Sequence, residues 1–141
     1  MKITSFIIVG IVLVAVGVIV AVGPWTLFPV CEAGDPPMYV ITQANKTLPM
    51  PCGYTARAEL GVGSLIAMGG IGLMLAKTPS SRRALGFMGL GLGAFAILLP
   101  TSIIGVCANL SHNCVLETRP ALIILGGIAA LASGYVLFKS R

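Results

Sequence analysis

The sequence predicts an all-α integral membrane protein: four transmembrane helices in two tandem hairpins, related by a parallel pseudo-two-fold repeat, with both termini cytoplasmic. Three observations carry that expectation. The first is composition: of 141 residues, 57% are hydrophobic and only 9% charged, and the mean hydropathy is +1.01. One small water-soluble core cannot hide that much apolar surface. The second is where the charge lies. Lys2, Lys77, Arg82, Arg83, Lys139 and Arg141 sit at the chain ends or between the second and third apolar segments, with no acid near them. Lys46, Arg57 and Arg119 instead share their regions with all four acids, Glu32, Asp35, Glu59 and Glu117. The net charge of +5 therefore follows the positive-inside rule, with the basic side cytoplasmic, and it does not mark a nucleic-acid partner. The third observation is a stretch used twice. Pro24 to Cys31 reads Pro, six residues, Cys, and so does Pro100 to Cys107; Cys52 to Arg57 and Cys114 to Arg119 both read Cys, four residues, Arg.

The elements follow in order. Ile3 to Val30 is uncharged, and about twenty of its residues suffice to cross a hydrocarbon core of roughly 30 Å. A cleaved leader is the rival reading of this stretch. The length of the run and the packing-type glycines Gly10, Gly17 and Gly23 favour a retained helix. The connection from Cys31 to Cys52 is polar and proline-rich; Tyr39 to Thr42 suits a short strand inside it. Leu60 to Ala76 is the second helix, lengthened towards Tyr54 if it is to span, with Glu59 placed in its first turn near the positive end of the dipole. A basic turn, Lys77 to Arg83, leads to the third helix, Ala84 to Val106. A second outer loop, Cys107 to Arg119, leads to the fourth, Pro120 to Phe138. The chain is one domain with hairpins at about 1–76 and 77–141.

Lipid offers no hydrophobic reward for helix association, so small residues four apart must supply close packing. Gly63 with Ala67, Gly89 with Gly93, and Gly126 with Ala130 and Gly134 do so, and the same faces suit other membrane subunits or a second copy of the chain. Pro24 and Pro100 remove the amide partners of the Val20 and Ala96 carbonyls. Kinks are expected there, with Thr26, Thr101 and Ser102 available to bond the loosened backbone.

All four cysteines fall in the outer cassettes, and in an oxidising compartment they read as two disulfides. Three pairings are possible. Cys31 with Cys52 and Cys107 with Cys114 is preferred because each hairpin is then self-contained. Metal binding is the weaker expectation, with His112 and Met50 as the additional candidates, Met being soft enough for copper. No cofactor is expected. Arg57 and Arg119, predicted just before the second and fourth helices, suit headgroup or partner contacts. Asn45 and Asn109 begin glycosylation sequons in loops predicted to lie outside. No ionisable group falls in the middle of a predicted span, which argues against a self-sufficient pump. No nucleotide loop or nucleophile with a base is present either.

Pro-Val-Cys31, Met50-Pro-Cys-Gly-Tyr-Thr-Ala-Arg-Ala-Glu-Leu-Gly61 and Leu99-Pro-Thr-Ser-Ile-Ile-Gly-Val-Cys-Ala-Asn109, with Cys114 downstream, resemble an uncharacterised family of small prokaryotic four-helix membrane proteins. The likeness covers nearly the whole chain. The family pattern places His after the second cysteine, where this chain has Gly53, and Met before the fourth, where it has Ser111-His112-Asn113. The resemblance implies the four-helix fold, the cysteine placement and a likeness to accessory proteins of export-type transporters. Together these readings predict a non-catalytic accessory or scaffold subunit of a plasma-membrane complex. A quinone-linked thiol-disulfide oxidoreductase and an extracytoplasmic copper-binding protein are the alternatives.

Overall fold

A computed structural model describes residues 2–31, 40–41, 43–48, 50–107 and 114–140. Four helices carry the chain: α1 (Lys2–Thr26), α2 (Pro51–Leu75), α3 (Pro79–Leu98) and α4 (Arg119–Lys139). Two strands, β1 (Val40–Ile41) and β2 (Thr47–Leu48), pair antiparallel between α1 and α2. All four helices are long and apolar enough to cross a membrane, so the chain is a multi-pass membrane protein. α1 packs chiefly on α2 and α3 on α4, while α2 meets α3 and α1 meets α4, which closes a four-sided bundle.

The hairpins are zipped where glycine lets two backbones touch. A Cβ on Gly17 would lie 2.6 Å from the Gly63 carbonyl oxygen, and one on Gly63 2.5 Å from that of Gly17. In the other hairpin a Cβ on Gly93 would lie 2.8 Å from the Gly126 carbonyl oxygen and 2.6 Å from the Ala130 nitrogen. Gly89 closes on Ser133. The small-residue faces of α2, α3 and α4 are thus consumed inside the chain. Gly134 is the exception, since a Cβ there would make ordinary contact with Leu90 at 3.8 Å.

Two helix starts differ from the sequence expectation. α2 begins at Pro51, with Met50 as its extended N-cap. Proline suits a first helical position because its missing N–H would be unpaired there anyway; the Pro-Cys-Gly run read as loop is therefore a helix start. Glu59 consequently lies two turns inside α2, not in its first turn, and Arg57 lies within the helix, not before it. α3 begins at Pro79, capped by Thr78, whose Oγ1 accepts from the Ser81 amide at 3.3 Å. The Lys77 to Arg83 turn thus shrinks to a few residues.

Both prolines loosen their helices as expected. α3 passes into a π-turn at Leu99–Ile103, and the Ile104 amide reaches back five residues to the Leu99 carbonyl at 3.1 Å. After Pro24, the Phe28 amide likewise reaches the Gly23 carbonyl at 3.0 Å. Thr26 Oγ1 donates to the Val22 carbonyl at 3.1 Å and Thr101 Oγ1 to that of Ile97 at 2.7 Å. A second π-turn, Cys114–Thr118, leads directly into α4.

At the end of the bundle that carries the α2–α3 turn, arginines finish the helices. Arg82 Nε donates to the Ala76 carbonyl at 3.1 Å, with its guanidinium 4.4 Å from the Phe6 ring centre. Arg83 Nε donates to the Ser140 carbonyl at 2.9 Å.

A candidate four-thiol metal centre

The elements converge on the cysteines. Cys52 rides on the first turn of α2, Cys114 opens the π-turn before α4, and Cys31 and Cys107 follow the loosened ends of α1 and α3. Pro24 and Pro100 each stand seven residues before one of these cysteines, where the helical hydrogen bonding loosens. The four Sγ atoms lie within 4.8 Å of one another. Cys31 Sγ is 3.4 Å from Cys107 Sγ and 3.4 Å from Cys114 Sγ, and Cys107 Sγ is 3.3 Å from Cys52 Sγ. Each of these contacts bridges the two hairpins.

The two self-contained disulfide loops expected from sequence are accordingly corrected to one shared cluster. None of the four cysteines is disulfide-bonded, and the sulfur separations above exceed the roughly 2.05 Å of such a bond. The physical reason is topological: the hairpins stand side by side, so cysteines remote in sequence meet at the centre of one end of the bundle.

The surroundings are apolar. Cys52 and Cys114 are fully buried, and Val30 and Ala56 complete the buried wall with Trp25, Met50 and Val115 packed around it. Met50 Sδ lies 3.6 Å from Cys107 Sγ, so the soft thioether singled out from sequence does border the cluster. Burial pushes the Cys31 thiol up to about 12, with the neighbouring Cys114 adding to the rise. It pushes Cys107 up as well. Metal binding takes thiolates, so a cation that takes Cys31 and Cys107 as ligands must displace their protons.

Two threonines lock the end of the bundle from both sides. Thr55 Oγ1 on α2 donates to the Gly105 carbonyl at 2.7 Å, while Thr118 Oγ1 donates to the Phe28 carbonyl at 3.0 Å. Gly105 holds a φ of +81°, a conformation glycine adopts without a Cβ penalty.

Deeper along the same face of α2, seven residues from Cys52, lies Glu59. It is fully buried, and neither carboxylate oxygen has a hydrogen-bond partner among the described residues. Glu59, expected in the first turn of the second helix, lies two turns inside the span Pro51–Leu75, because α2 starts earlier than its hydropathy indicated. The extended second helix allowed for in the sequence was the available signal.

The other predicted residues lie apart from this centre. Arg57 is exposed on α2, its guanidinium 5.9 Å from the Tyr54 ring centre, and Arg119 is exposed at the start of α4. Asn45 is exposed at the turn between β1 and β2, with a left-handed φ of 56°. Asn109 and His112 lie outside the described residues, so the copper-type pairing of His112 with the cysteines does not enter the geometry.

A four-helix membrane bundle with a thiol cluster at one end defines the class of protein. Residues 6–139 match the family described as a domain of unknown function, DUF4418; the chain belongs to that family. No curated protein and no solved structure matches it.

Proposed function

We propose that this is a non-catalytic membrane protein, an accessory or scaffold subunit, whose outer end is clamped by one thiophilic metal ion held by Cys31, Cys52, Cys107 and Cys114. The observation that carries the reading is the sharing of sulfurs. Cys31 stands 3.4 Å from two different cysteines, and all four Sγ atoms fit within 4.8 Å. A sulfur can enter only one disulfide, so two separate bonds would not draw four sulfurs about a common centre. One tetrahedral ion would. With metal–sulfur distances of about 2.3 Å, a tetrahedral four-thiolate site has sulfur–sulfur edges of about 3.8 Å, inside the span occupied here. Four-sulfur tetrahedral coordination favours zinc, with iron next. Copper(I) is the soft-ion alternative that Met50 supports.

Four protein ligands leave no open position for substrate or water, which is the pattern of a structural metal site. Its role is mechanical. Each hairpin contributes two ligands, so one ion ties the two halves together where Thr55 and Thr118 already bridge them.

The reading extends to a repeat and to sidedness. Gly17 and Gly93, Pro24 and Pro100, and Cys31 and Cys107 keep one common spacing, and the five-residue amide returns at Phe28 and Ile104 keep it too. Gly63 with Gly126 and Ala67 with Ala130 are spaced one residue wider than Cys52 with Cys114. The π-turn at Cys114–Thr118 accommodates such a one-residue insertion. These correspondences support two hairpins related by a pseudo-two-fold axis along the membrane normal. The positive-inside rule then puts Lys77, Arg82, Arg83 and Lys139 in the cytoplasm and the thiols outside the plasma membrane.

A second reading rests on the same contacts. Cys114, Cys31, Cys107 and Cys52 form a continuous row of sulfur neighbours, as disulfide exchange requires. Two thiols would become a disulfide while two electrons and two protons pass to a quinone.

The test is elemental analysis of protein purified from membranes without added metal, combined with alkylation mapping. One metal per chain, lost in Cys52→Ser and Cys114→Ser, is expected. Metal-free protein with Cys31–Cys114 and Cys52–Cys107 disulfides would overturn the metal reading in favour of the redox one.

A further inference from the structure

At the opposite end of the bundle from the thiols, a groove of about 400 Å³ is lined by Arg83, Leu90, Leu137 and Phe138. We propose that it binds one anionic phospholipid, with the phosphate at Arg83 and an acyl chain along Leu90, Leu137 and Phe138.

The groove exists because of Gly86. A Cβ there would lie 3.1 Å from Leu137 Cγ, so its absence lets Leu137 lie back against α3 as the floor between α3 and α4. The walls are apolar and open to the surroundings: Phe138 is 76% and Leu90 39% exposed. Both helices are membrane spans by length and composition, so what faces this groove is lipid.

The mouth is cationic and already ordered. Arg83 Nε is fixed on the Ser140 carbonyl at 2.9 Å, which holds the guanidinium at the rim while its two terminal nitrogens have no partner among the described residues. A phosphate accepts from those nitrogens in the planar fork that arginine presents. Arg83 also belongs to the first turns of α3, whose amide end favours an anion.

Charge selects the lipid class. No acidic side chain occurs between Glu59 and Glu117 or after Glu117, so no side chain at this end pairs with the ammonium of a zwitterionic headgroup. Lys139, directly after Phe138, repels one. Arg82 does not compete for the phosphate, because its guanidinium is turned onto the Phe6 ring and the Ala76 carbonyl.

The site is independent of the thiol centre, and its test leaves that centre untouched. Native mass spectrometry of the full chain, titrated with dioleoylphosphatidylglycerol or dioleoylphosphatidylcholine, reads the affinity for each. The wild type is expected to retain one phosphatidylglycerol preferentially. Arg83→Gln is expected to bind it about tenfold more weakly, the loss of a charge-assisted contact. Leu90→Trp fills the groove and is expected to weaken it as well, whereas Lys46→Gln, in the turn between β1 and β2, leaves it unchanged. Far-ultraviolet circular dichroism establishes that each variant is folded. Equal retention of the two lipids by the wild type would overturn the proposal. So would wild-type affinity in both folded Arg83→Gln and Leu90→Trp, or an equal loss in Lys46→Gln.

Discussion

Glu59 is the residue whose presence costs the fold most visibly. It stands four residues before Gly63 as Leu122 stands four before Gly126, and both are fully buried, yet only Glu59 carries side-chain polar atoms, and they have no partner among the described residues. Leaving a buried polar group unsatisfied costs about 1–3 kcal/mol. Glu59→Leu, which copies the residue in the other hairpin, is therefore expected to stabilise the protein by about that amount. The denaturation midpoint in detergent measures it, and a lower midpoint would show that the carboxylate has a stabilising partner. This part of the site was only half legible: Glu59 was visible as an acid next to an apolar run, but its depth depended on where α2 begins. Pro51 marks that point, and the glycine and prolines around Cys52 disguised it as loop.

At the scale of elements, apolar length and the clustering of basic residues were enough to place four helices. The ends were harder, because hydropathy reports where polar residues lie and not where the backbone stops being helical. α3 begins at Pro79, several residues before the apolar run, since Thr78 and Pro79 supply a cap and a first turn from polar residues. The glycine pattern was legible, including which helices it would join closely, but not which glycines would face a backbone. The geometry now separates them. Gly63 and Gly126 lie against neighbouring backbone, whereas Gly61 and Gly127 have open space where a Cβ would go. Gly63→Val and Gly126→Val are expected to destabilise their hairpins by about 1–3 kcal/mol or more through overpacking. Gly61→Ala and Gly127→Ala are expected to be neutral or stabilising by up to about 1 kcal/mol from helix propensity. Thermal midpoints of the four variants give the comparison. Equal effects at all four positions would mean that the close approach of the helices is not as described.

For the whole molecule, the cysteine spacing held more than it disclosed. Each hairpin taken alone invites a local disulfide, and nothing in one hairpin's sequence shows that its cysteines face those of the other. The repeated spacing, 76 residues from Pro24 to Pro100 and from Cys31 to Cys107, was the available sign that the two cassettes belong together. What the spacing could not supply was the inward turn of the chain after Pro24 and Pro100, which brings Cys31 and Cys107 together at 3.4 Å. The account of the molecule then rests on one claim, that these four sulfurs surround a single ion and join the halves of the bundle. X-ray absorption at the edge of the metal found in the purified protein tests it most directly. The account predicts a first shell of four sulfurs at about 2.3 Å with no nitrogen or oxygen ligand. A shell containing nitrogen or oxygen, or fewer than three sulfurs, would contradict it.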